Sequence, residues 1–217
     1  MRLGILGGTF DPIHLGHLRL AEEVGEAFDL EKVCIIPAAS PPHKGGKEVT
    51  SFDHRFEMAR LAVEGSTLLI ALDLEGRRKG LSYSIETLKE FHRLYPSDLE
   101  LFFILGTDAF LEIETWKDYR SLFDHAHFVV IQRPGTPTGK TEAHLFSLGI
   151  SFRKDAEGRF VGPSGNEVFF IETTLLDISS TEIREKVAAG KSIRYLVPES
   201  IRCYIMNNGL YRTHGVS

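Results

Sequence analysis

Two histidines in a glycine-rich turn are the side chains of this sequence best placed to do chemistry. Residues 7–17 (GGTFDPIHLGH) follow a short apolar run at residues 1–6 and lead into an amphipathic helical pattern. A glycine-rich turn between a strand and a helix brings backbone N–H groups close to phosphate oxygens. His14 and His17 are three residues apart, so both imidazoles can lie on one face. The turn is therefore predicted to hold a phosphate, with two side-chain hydrogen-bond donors directed at it.

The same histidine pair has simpler interpretations. The imidazoles could cap the backbone of the helix start, or they could bind a metal. A spacing of three residues can serve zinc, but no third and fourth ligand with a zinc-type spacing is evident in the sequence. Gly16, between them, leaves room for a large group to come close.

A second candidate segment, ISSTEIR, lies near the C-terminus and has the form of a capped helix start. Ser179 fits the N-cap position and Glu182 the N3 position of a capping box. A capped start still presents free N–H groups and the positive end of the helix dipole to an anion. The hydroxyls of Ser180 and Thr181 are then predicted to hold phosphate together with Arg184, whose planar fork suits it.

These two segments, in this order, resemble the signature of the nucleotidyltransferase superfamily, whose core is His-x-Gly-His after a glycine-rich strand end. Within that superfamily the chain is similar to the bacterial nicotinate-mononucleotide adenylyltransferase family. Other segments that match the family pattern are residues 37–44 (PAASPPHK), 82–84 (SYS), 106–108 (GTD), Trp116 and 133–135 (RPG). The resemblance covers about residues 1–134 and 168–210.

The resemblance implies an enzyme of NAD biosynthesis that transfers AMP from ATP to nicotinate mononucleotide and releases pyrophosphate. It assigns His14, His17 and Arg184 to catalysis, in which fixed donors stabilise the charge that develops on the triphosphate. It assigns the following residues to ATP: Gly7, Gly8, Thr9, Phe10, Gly106, Asp108, Ser179, Ser180 and Thr181. Mg²⁺ is expected to accompany ATP and to bind chiefly through the phosphates, so no metal-binding residue is assigned.

The resemblance assigns a further set of residues to the mononucleotide: His43, Lys44, Tyr83, Ser84, Ile85, Trp116 and Arg133. His43, Lys44 and Arg133 would hold the 5′-phosphate, although the loop that contains Lys44, taken alone, is typical of a solvated surface. Trp116, the single tryptophan, lies in a polar stretch unsuited to deep burial and would stack on the pyridine ring.

The segment Tyr83-Ser84-Ile85 begins a predicted helix. The N–H groups of a helix start favour a carboxylate over an amide, and therefore nicotinate over nicotinamide. Asp108 is interpreted either as the N-cap of a short helix or as a contact to the nucleotide. Asp11 is expected to orient the histidine turn.

Composition narrows the class of protein. The 217 residues are 42% hydrophobic, enough for one sizeable α/β domain, and carry a formal net charge of −5. A nucleic-acid binder is usually basic, so small phosphorylated substrates are expected instead. No apolar run approaches a membrane span, and because the first strand begins almost at once, no signal peptide is expected. With two cysteines, Cys34 and Cys203, the protein is expected in the reducing cytoplasm.

Alternating strand and helix patterns position these residues. Strands are predicted at residues 3–6, 33–36, 68–72, 101–105, 128–131 and 168–171. Helices are predicted at about 16–28, 53–63, 84–94, 180–189 and 198–207. The continuous apolar runs are typical of parallel strands buried on both faces. The prediction is a doubly wound, Rossmann-like parallel sheet with ligands at the carboxyl ends of the strands. The resemblance implies that this sheet has the nucleotidyltransferase fold.

The domain prediction is a single nucleotidyltransferase domain over residues 1–217. Residues 135–167 are expected to form an excursion or hairpin insertion, and residues 177–210 a small C-terminal helical part with the second phosphate motif. The basic run Arg77-Arg78-Lys79 is interpreted as a solvated cluster. The alternatives left open are an adenylyltransferase for nicotinamide mononucleotide or phosphopantetheine, a non-catalytic nucleotide-binding regulator, and a homo-oligomer.

Overall fold

The computed structural model describes residues 1–40, 49–78, 80–95, 98–132, 138–156 and 158–212. Its strands are β1 (Arg2–Gly8), β2 (Lys32–Pro37), β3 (Leu69–Ala71), β4 (Glu100–Gly106), β5 (His127–Gln132), β6 (Arg153–Lys154), β7 (Phe160–Val161) and β8 (Glu167–Glu172). Its helices are α1 (Leu15–Ala27), α2 (Phe52–Ala62), α3 (Ser84–Leu94), α4 (Thr107–Leu111), α5 (Tyr119–His125), α6 (Thr138–Ser147), α7 (Ser180–Ala188) and α8 (Glu199–Asn207). A 3-10 turn covers Ile113–Thr115.

The eight strands form one sheet in the order 3-2-1-4-5-8-7-6. The pairs from β3 across to β8 are parallel, whereas β7 pairs with β8 and β6 with β7 in antiparallel fashion. The chain order therefore reverses between β1 and β4. Ligands of such sheets bind at the carboxyl ends of the strands beside this reversal. The predicted doubly wound sheet is confirmed.

The two faces of the sheet carry separate apolar cores because successive side chains of a strand point to opposite faces. On β4, Leu101, Phe103 and Leu105 pack into one cluster, and Phe102 and Ile104 into the other. Helices α3, α5 and α6 cover the first face, and α1, α2, α7 and α8 the second. Each such side chain, once buried, stabilises the fold by about 1.5–3 kcal/mol. The strands that position the site are thus held from both sides.

The predicted helix at residues 84–94 has the bounds observed for α3, and the strand runs agree to within two residues at each end. Helix α6 was not predicted, because its surroundings are rich in Gly, Pro and Thr. The expected hairpin is present as β6 and β7, and β7 joins the main sheet through β8. The division into one domain with an insertion stays a prediction. Within the described ranges, no helix combines the length and apolar character needed to cross a bilayer.

Candidate active site

A cavity of about 810 Å³ opens at the carboxyl ends of β1 and β4. Gly7 is the penultimate residue of β1 and Gly106 is the last residue of β4, and both line this cavity. A Cβ built at either glycine would have no other heavy atom within 4 Å, so a side chain there would extend into open space. The two strand ends therefore leave room for a ligand to lie against bare backbone.

The two predicted imidazoles lie together in the lining of this cavity. His14 is the N-cap of α1 and is buried, and its ring stacks on that of His17 with centroids 3.6 Å apart. The edge of Phe10 contacts His17 at a centroid distance of 5.0 Å. A Cβ on Gly16 would lie 3.1 Å from His14 Nδ1, tighter than usual. The packing leaves the two rings little freedom to move.

Hydrogen bonding fixes the tautomer of one ring. The backbone N–H of His14 donates to His17 Nδ1 over 3.3 Å. Because Nδ1 of His17 accepts, Nε2 carries the proton and can donate to a ligand. The interpretation of the pair as a backbone cap is therefore also correct for His17. Within the described residues His14 Nδ1 is buried and has no partner.

Both imidazoles are neutral at physiological pH in the free protein. Burial lowers the pKa of His14 to about 4. Burial, and secondarily the neighbouring charge of His14, lowers the pKa of His17 to about 3. A neutral imidazole still donates one hydrogen bond through its single N–H, so each ring can act as a donor without being protonated to the cation.

The start of α7 packs directly against the same turn. Ser179 is its N-cap and accepts from the backbone N–H of Glu182 over 3.1 Å, as predicted. The hydroxyl of Ser180 donates to the backbone carbonyl of Pro12 (2.9 Å). Arg184 Nη1 donates to the backbone carbonyl of Asp11 (2.7 Å). The two predicted phosphate motifs, more than 160 residues apart along the chain, are therefore joined by direct contacts.

The start of α3 lies on the wall of the same cavity. Tyr83 is the N-cap, and Ser84 and Ile85 are the first two helical residues. The backbone N–H groups of Glu86 and Thr87 already donate to the carbonyl of Tyr83, which leaves those of Ser84 and Ile85 without a partner among the described residues. These two N–H groups, with the positive end of the helix dipole, suit an anion.

Trp116 also lines the cavity and is half-buried. Its ring meets that of Phe103 edge-on, with centroids 6.1 Å apart. Nearby, the ammonium of Lys117 lies 4.7 Å from the centroid of the Tyr83 ring and 3.0 Å from Glu86 Oε1. Trp116 is therefore anchored to the core while it remains open to the cavity, as a stacking side chain must be.

The cavity brings together ten of the predicted site residues: Gly7, Gly8, Thr9, His14, His17, Tyr83, Ser84, Gly106, Trp116 and Ser179. Phe10 and Ile85 have core side chains, so Ile85 can contact a ligand only through its backbone. Asp108 is not an N-cap, because Gly106 takes that position in α4. His43, Lys44 and Arg133 lie outside the described residues.

Sequence reasoning missed Arg55, a fully buried arginine on α2. Its guanidinium donates to the backbone carbonyls of Thr9 (2.8 Å), Ala38 (2.7 Å), Ala39 (3.3 Å) and Thr50 (2.8 Å). Arg55 thus connects the residue after β1 with the residues after β2 and with the segment that precedes α2. One sequence signal could have indicated its burial. Arg55 precedes Met58 by three residues and Ala59 by four, a spacing that places all three on one face of the helix, and that face is buried.

A second group beside the cavity was interpreted incorrectly. Arg78 is partly buried and donates to Thr87 Oγ1 (2.6 Å), and that hydroxyl donates to Glu75 Oε1 (2.8 Å). Arg78 and Glu75 lie 3.7 Å apart. The prediction of a solvated cluster is therefore wrong for Arg78, since its guanidinium pairs with Thr87 of α3 and with Glu75 of the turn before α3. It holds for Arg77, which is exposed and pairs with Asp73.

Among the described residues, no group of three or more His, Cys, Asp or Glu side chains is arranged to hold a metal ion. These side chains do not form a dedicated cage for a divalent cation. A metal that arrives with a triphosphate needs few protein ligands, because the phosphates themselves bind it.

Comparison with known proteins identifies the family. The model of the cytidylyltransferase-like family matches residues 5–186. A protein of Geotalea uraniireducens is 48% identical over 213 residues, covering 97% of this chain and 98% of its own. One of Desulfatibacillum aliphaticivorans is 48% identical over 218 residues, covering 97% and 100%. Both carry the name "Probable nicotinate-nucleotide adenylyltransferase".

The fold is also that of a solved structure, the nicotinic acid mononucleotide adenylyltransferase of Plasmodium falciparum complexed with NaAD. The two chains superpose with a TM-score of 0.74 at 20% identity, covering 97% of each. A Vibrio parahaemolyticus protein with the name "Putative Nicotinate-nucleotide Adenylyltransferase" superposes with a TM-score of 0.65 at 16% identity, covering 97% of this chain and 95% of its own. Given near-complete coverage by relatives at 48% identity and a family model over residues 5–186, this chain belongs to the nicotinate-nucleotide adenylyltransferase family of cytidylyltransferase-like proteins.

Proposed function

We propose that this protein transfers the adenylyl group of ATP to nicotinate mononucleotide, giving nicotinate adenine dinucleotide and pyrophosphate. The reaction is a step of NAD biosynthesis, and both substrates are small molecules. The observation that carries the proposal is that one and the same cavity is lined by the phosphate turn with its two imidazoles, by Trp116 and by the start of α3. The names of the relatives at 48% identity agree with it.

In the proposed reaction, a phosphate oxygen of the mononucleotide attacks the α-phosphorus of ATP in line. The new P–O bond forms as the bond to the β-phosphate oxygen breaks, and pyrophosphate leaves with that electron pair. Negative charge grows on the α-phosphate and the leaving group. Fixed donors at those positions lower the barrier, and no covalent intermediate with the protein is needed.

His17 Nε2–H supplies one such donor, held by its own Nδ1 contact to the backbone. His14, stacked on it, provides the second imidazole. Arg184 and the free N–H groups at the start of α7 would meet the β- and γ-phosphates. Gly7, Gly8 and Gly106 offer the backbone against which the nucleotide lies. Mg²⁺ is proposed to enter with ATP and to screen the triphosphate.

At the other substrate, Trp116 would stack on the pyridine ring and the N–H groups of Ser84 and Ile85 would receive its carboxylate. His43, Lys44 and Arg133 stay proposed ligands of the 5′-phosphate. The location proposed for the enzyme is the cytoplasm, where ATP is made and used.

The experiment that tests the reaction is a substrate panel scored for pyrophosphate release. The purified protein is given ATP with nicotinate mononucleotide, nicotinamide mononucleotide or phosphopantetheine. The proposal expects the highest kcat/KM for the nicotinate compound. Release with phosphopantetheine alone would identify a different acceptor, and absence of release with every acceptor would favour a nucleotide-binding regulator.

The acid preference is testable at a single backbone N–H. Ser84 is the first helical residue, a position that tolerates proline without breaking the helix. Ser84→Pro removes that N–H, whereas the control Ser84→Ala removes only the hydroxyl. Unpaired or missing polar partners cost about 1–3 kcal/mol, so Ser84→Pro should narrow the ratio of kcat/KM between nicotinate and nicotinamide mononucleotides about tenfold. An unchanged ratio would contradict the carboxylate site.

A further inference from the structure

The residues Asp11 and Pro12 are where α7 attaches to the phosphate turn. The backbone carbonyl of Asp11 accepts from Arg184 over 2.7 Å, and that of Pro12 accepts from Ser180 over 2.9 Å. The side chain of Asp11 is buried, and its Oδ2 accepts from the backbone N–H of Thr50 over 3.3 Å. The position of Asp11 therefore bears directly on where the Arg184 guanidinium lies.

The second carboxylate oxygen of Asp11 is held from the far end of the chain. The hydroxyl of Tyr211 donates to Asp11 Oδ1 over 2.7 Å. Tyr211 follows α8, and its backbone is left-handed, with φ 62°. Its ring packs against the apolar cluster on the α1, α2, α7 and α8 face. Burial, and then the charge of Asp11, raises the pKa of Tyr211, so its hydroxyl keeps its proton and remains a donor.

We propose that Tyr211 is a positioning residue of the triphosphate site. Its hydroxyl holds the Asp11 carboxylate, and Asp11 in turn holds the Arg184 guanidinium where it meets the phosphates of ATP. This inference rests on the proposed function, because it uses the role of Arg184 in that reaction. Tyr211 lies outside both phosphate motifs, so no motif-based interpretation includes it.

The hydroxyl and the ring of Tyr211 have separable effects. Replacing Tyr211 with Phe keeps the ring packing and leaves Asp11 Oδ1 buried without that donor. A buried carboxylate oxygen without a donor moves toward another donor or admits a water molecule. Asp11 then shifts, and the Arg184 guanidinium shifts with the backbone carbonyl of Asp11 to which it donates. Catalysis is sensitive to such displacements, since about 1 Å of misplacement can cost about 100-fold in rate.

The test compares Tyr211→Phe with Tyr204→Phe. Tyr204 is a matched control because it lies on α8 and its hydroxyl makes a 2.9 Å bond to His54 Nδ1, away from the turn. We expect Tyr211→Phe to lower kcat/KM for ATP about tenfold, with the KM for the mononucleotide changed less than about twofold. Tyr204→Phe should match the wild type in both constants.

ATP affinity measured by calorimetry without an acceptor separates this inference from the proposed reaction. Weaker ATP binding by Tyr211→Phe than by Tyr204→Phe supports the inference, even if the wild type transfers no adenylyl group to nicotinate mononucleotide. A wild type that transfers no adenylyl group to nicotinate mononucleotide would overturn the proposed function but not this inference. Equal ATP binding and equal kcat/KM in the two variants would overturn the role of Tyr211, as would a fall in Tm with both constants unchanged.

A double-mutant cycle tests the route through Asp11. We expect Asp11→Ala, which removes the acceptor of the Tyr211 hydroxyl, to lower kcat/KM for ATP. The double variant Asp11→Ala/Tyr211→Phe should be little worse than Asp11→Ala, because the two residues act as one unit. Fully additive losses would show that Tyr211 acts by another route. An Asp11→Ala variant with unchanged ATP constants would also overturn the inference, and this variant keeps it testable if Tyr211→Phe does not fold.

Discussion

Replacing Arg55 by Met should destabilise the protein far more than a single helix substitution usually does. The guanidinium makes short bonds of 2.7–2.8 Å to the carbonyls of Thr9, Ala38 and Thr50, and a longer one of 3.3 Å to Ala39. Each carbonyl left without a donor costs about 1–3 kcal/mol. Burial of a charged group offsets part of this, and burial indeed lowers the pKa of Arg55. The net expectation is a loss of about 3–4 kcal/mol in the free energy of unfolding.

Urea unfolding followed by circular dichroism measures this loss, and Arg60→Met provides the control. Arg60 lies on the same helix, but its side chain is 50% exposed and pairs with Glu57 three residues away. Such surface pairs contribute about 0–1 kcal/mol. Arg55→Lys keeps the charge with fewer donors and should fall between the two Met variants. A loss below about 1 kcal/mol for Arg55→Met, with an unchanged m-value, would refute the reasoning.

Three further predictions concern the site itself. His17→Ala should lower kcat about 100-fold, the effect of losing one fixed donor to the transition state; a folded variant with near-normal kcat would remove His17 from the mechanism. The pKa values of about 4 for His14 and about 3 for His17 lie below the ordinary value of about 6.5, so the unfolded chain binds more protons between these limits. The free energy of unfolding should therefore fall as the pH drops from about 6.5 toward 4. The urea midpoint of His14→Asn should fall less over this range than that of the wild type; an equal fall would contradict the lowered pKa of His14. Trp116→Ala should raise KM about tenfold for nicotinate and nicotinamide mononucleotides alike, while a selective effect on one acceptor in steady-state kinetics would count against simple stacking.

Local patterns predicted the elements of this fold well. The bounds of α3 follow from its spacing of Ile85, Leu88 and Phe91, all of which are buried as one face. Ser179 could be recognised as an N-cap because the bond to Glu182 N–H spans only three residues. Both signals lie within one or two helical turns, where sequence spacing determines which groups can meet.

The features that sequence reasoning missed depend on distant partners. Arg55 is satisfied by carbonyls from residues 5 to 46 positions away, which no local pattern reports. The partner of Arg78, Thr87, comes from the next helix, so the basic run alone does not reveal that Arg78 is paired. Three-dimensional packing decides these cases.

The antiparallel end of the sheet has a consequence for how copies of the chain behave toward one another. Strand β8 is six residues long and reads EVFFIE, a sequence with high tendency to pair with other strands. On its outer side β7 pairs with the first two residues, Glu167 and Val168, and β6 beyond β7 has two residues, Arg153 and Lys154. A two-residue basic edge is a poor template for a further strand. The hairpin thus ends the sheet beside the start of β8 and keeps a neighbouring chain from pairing with that part of the strand.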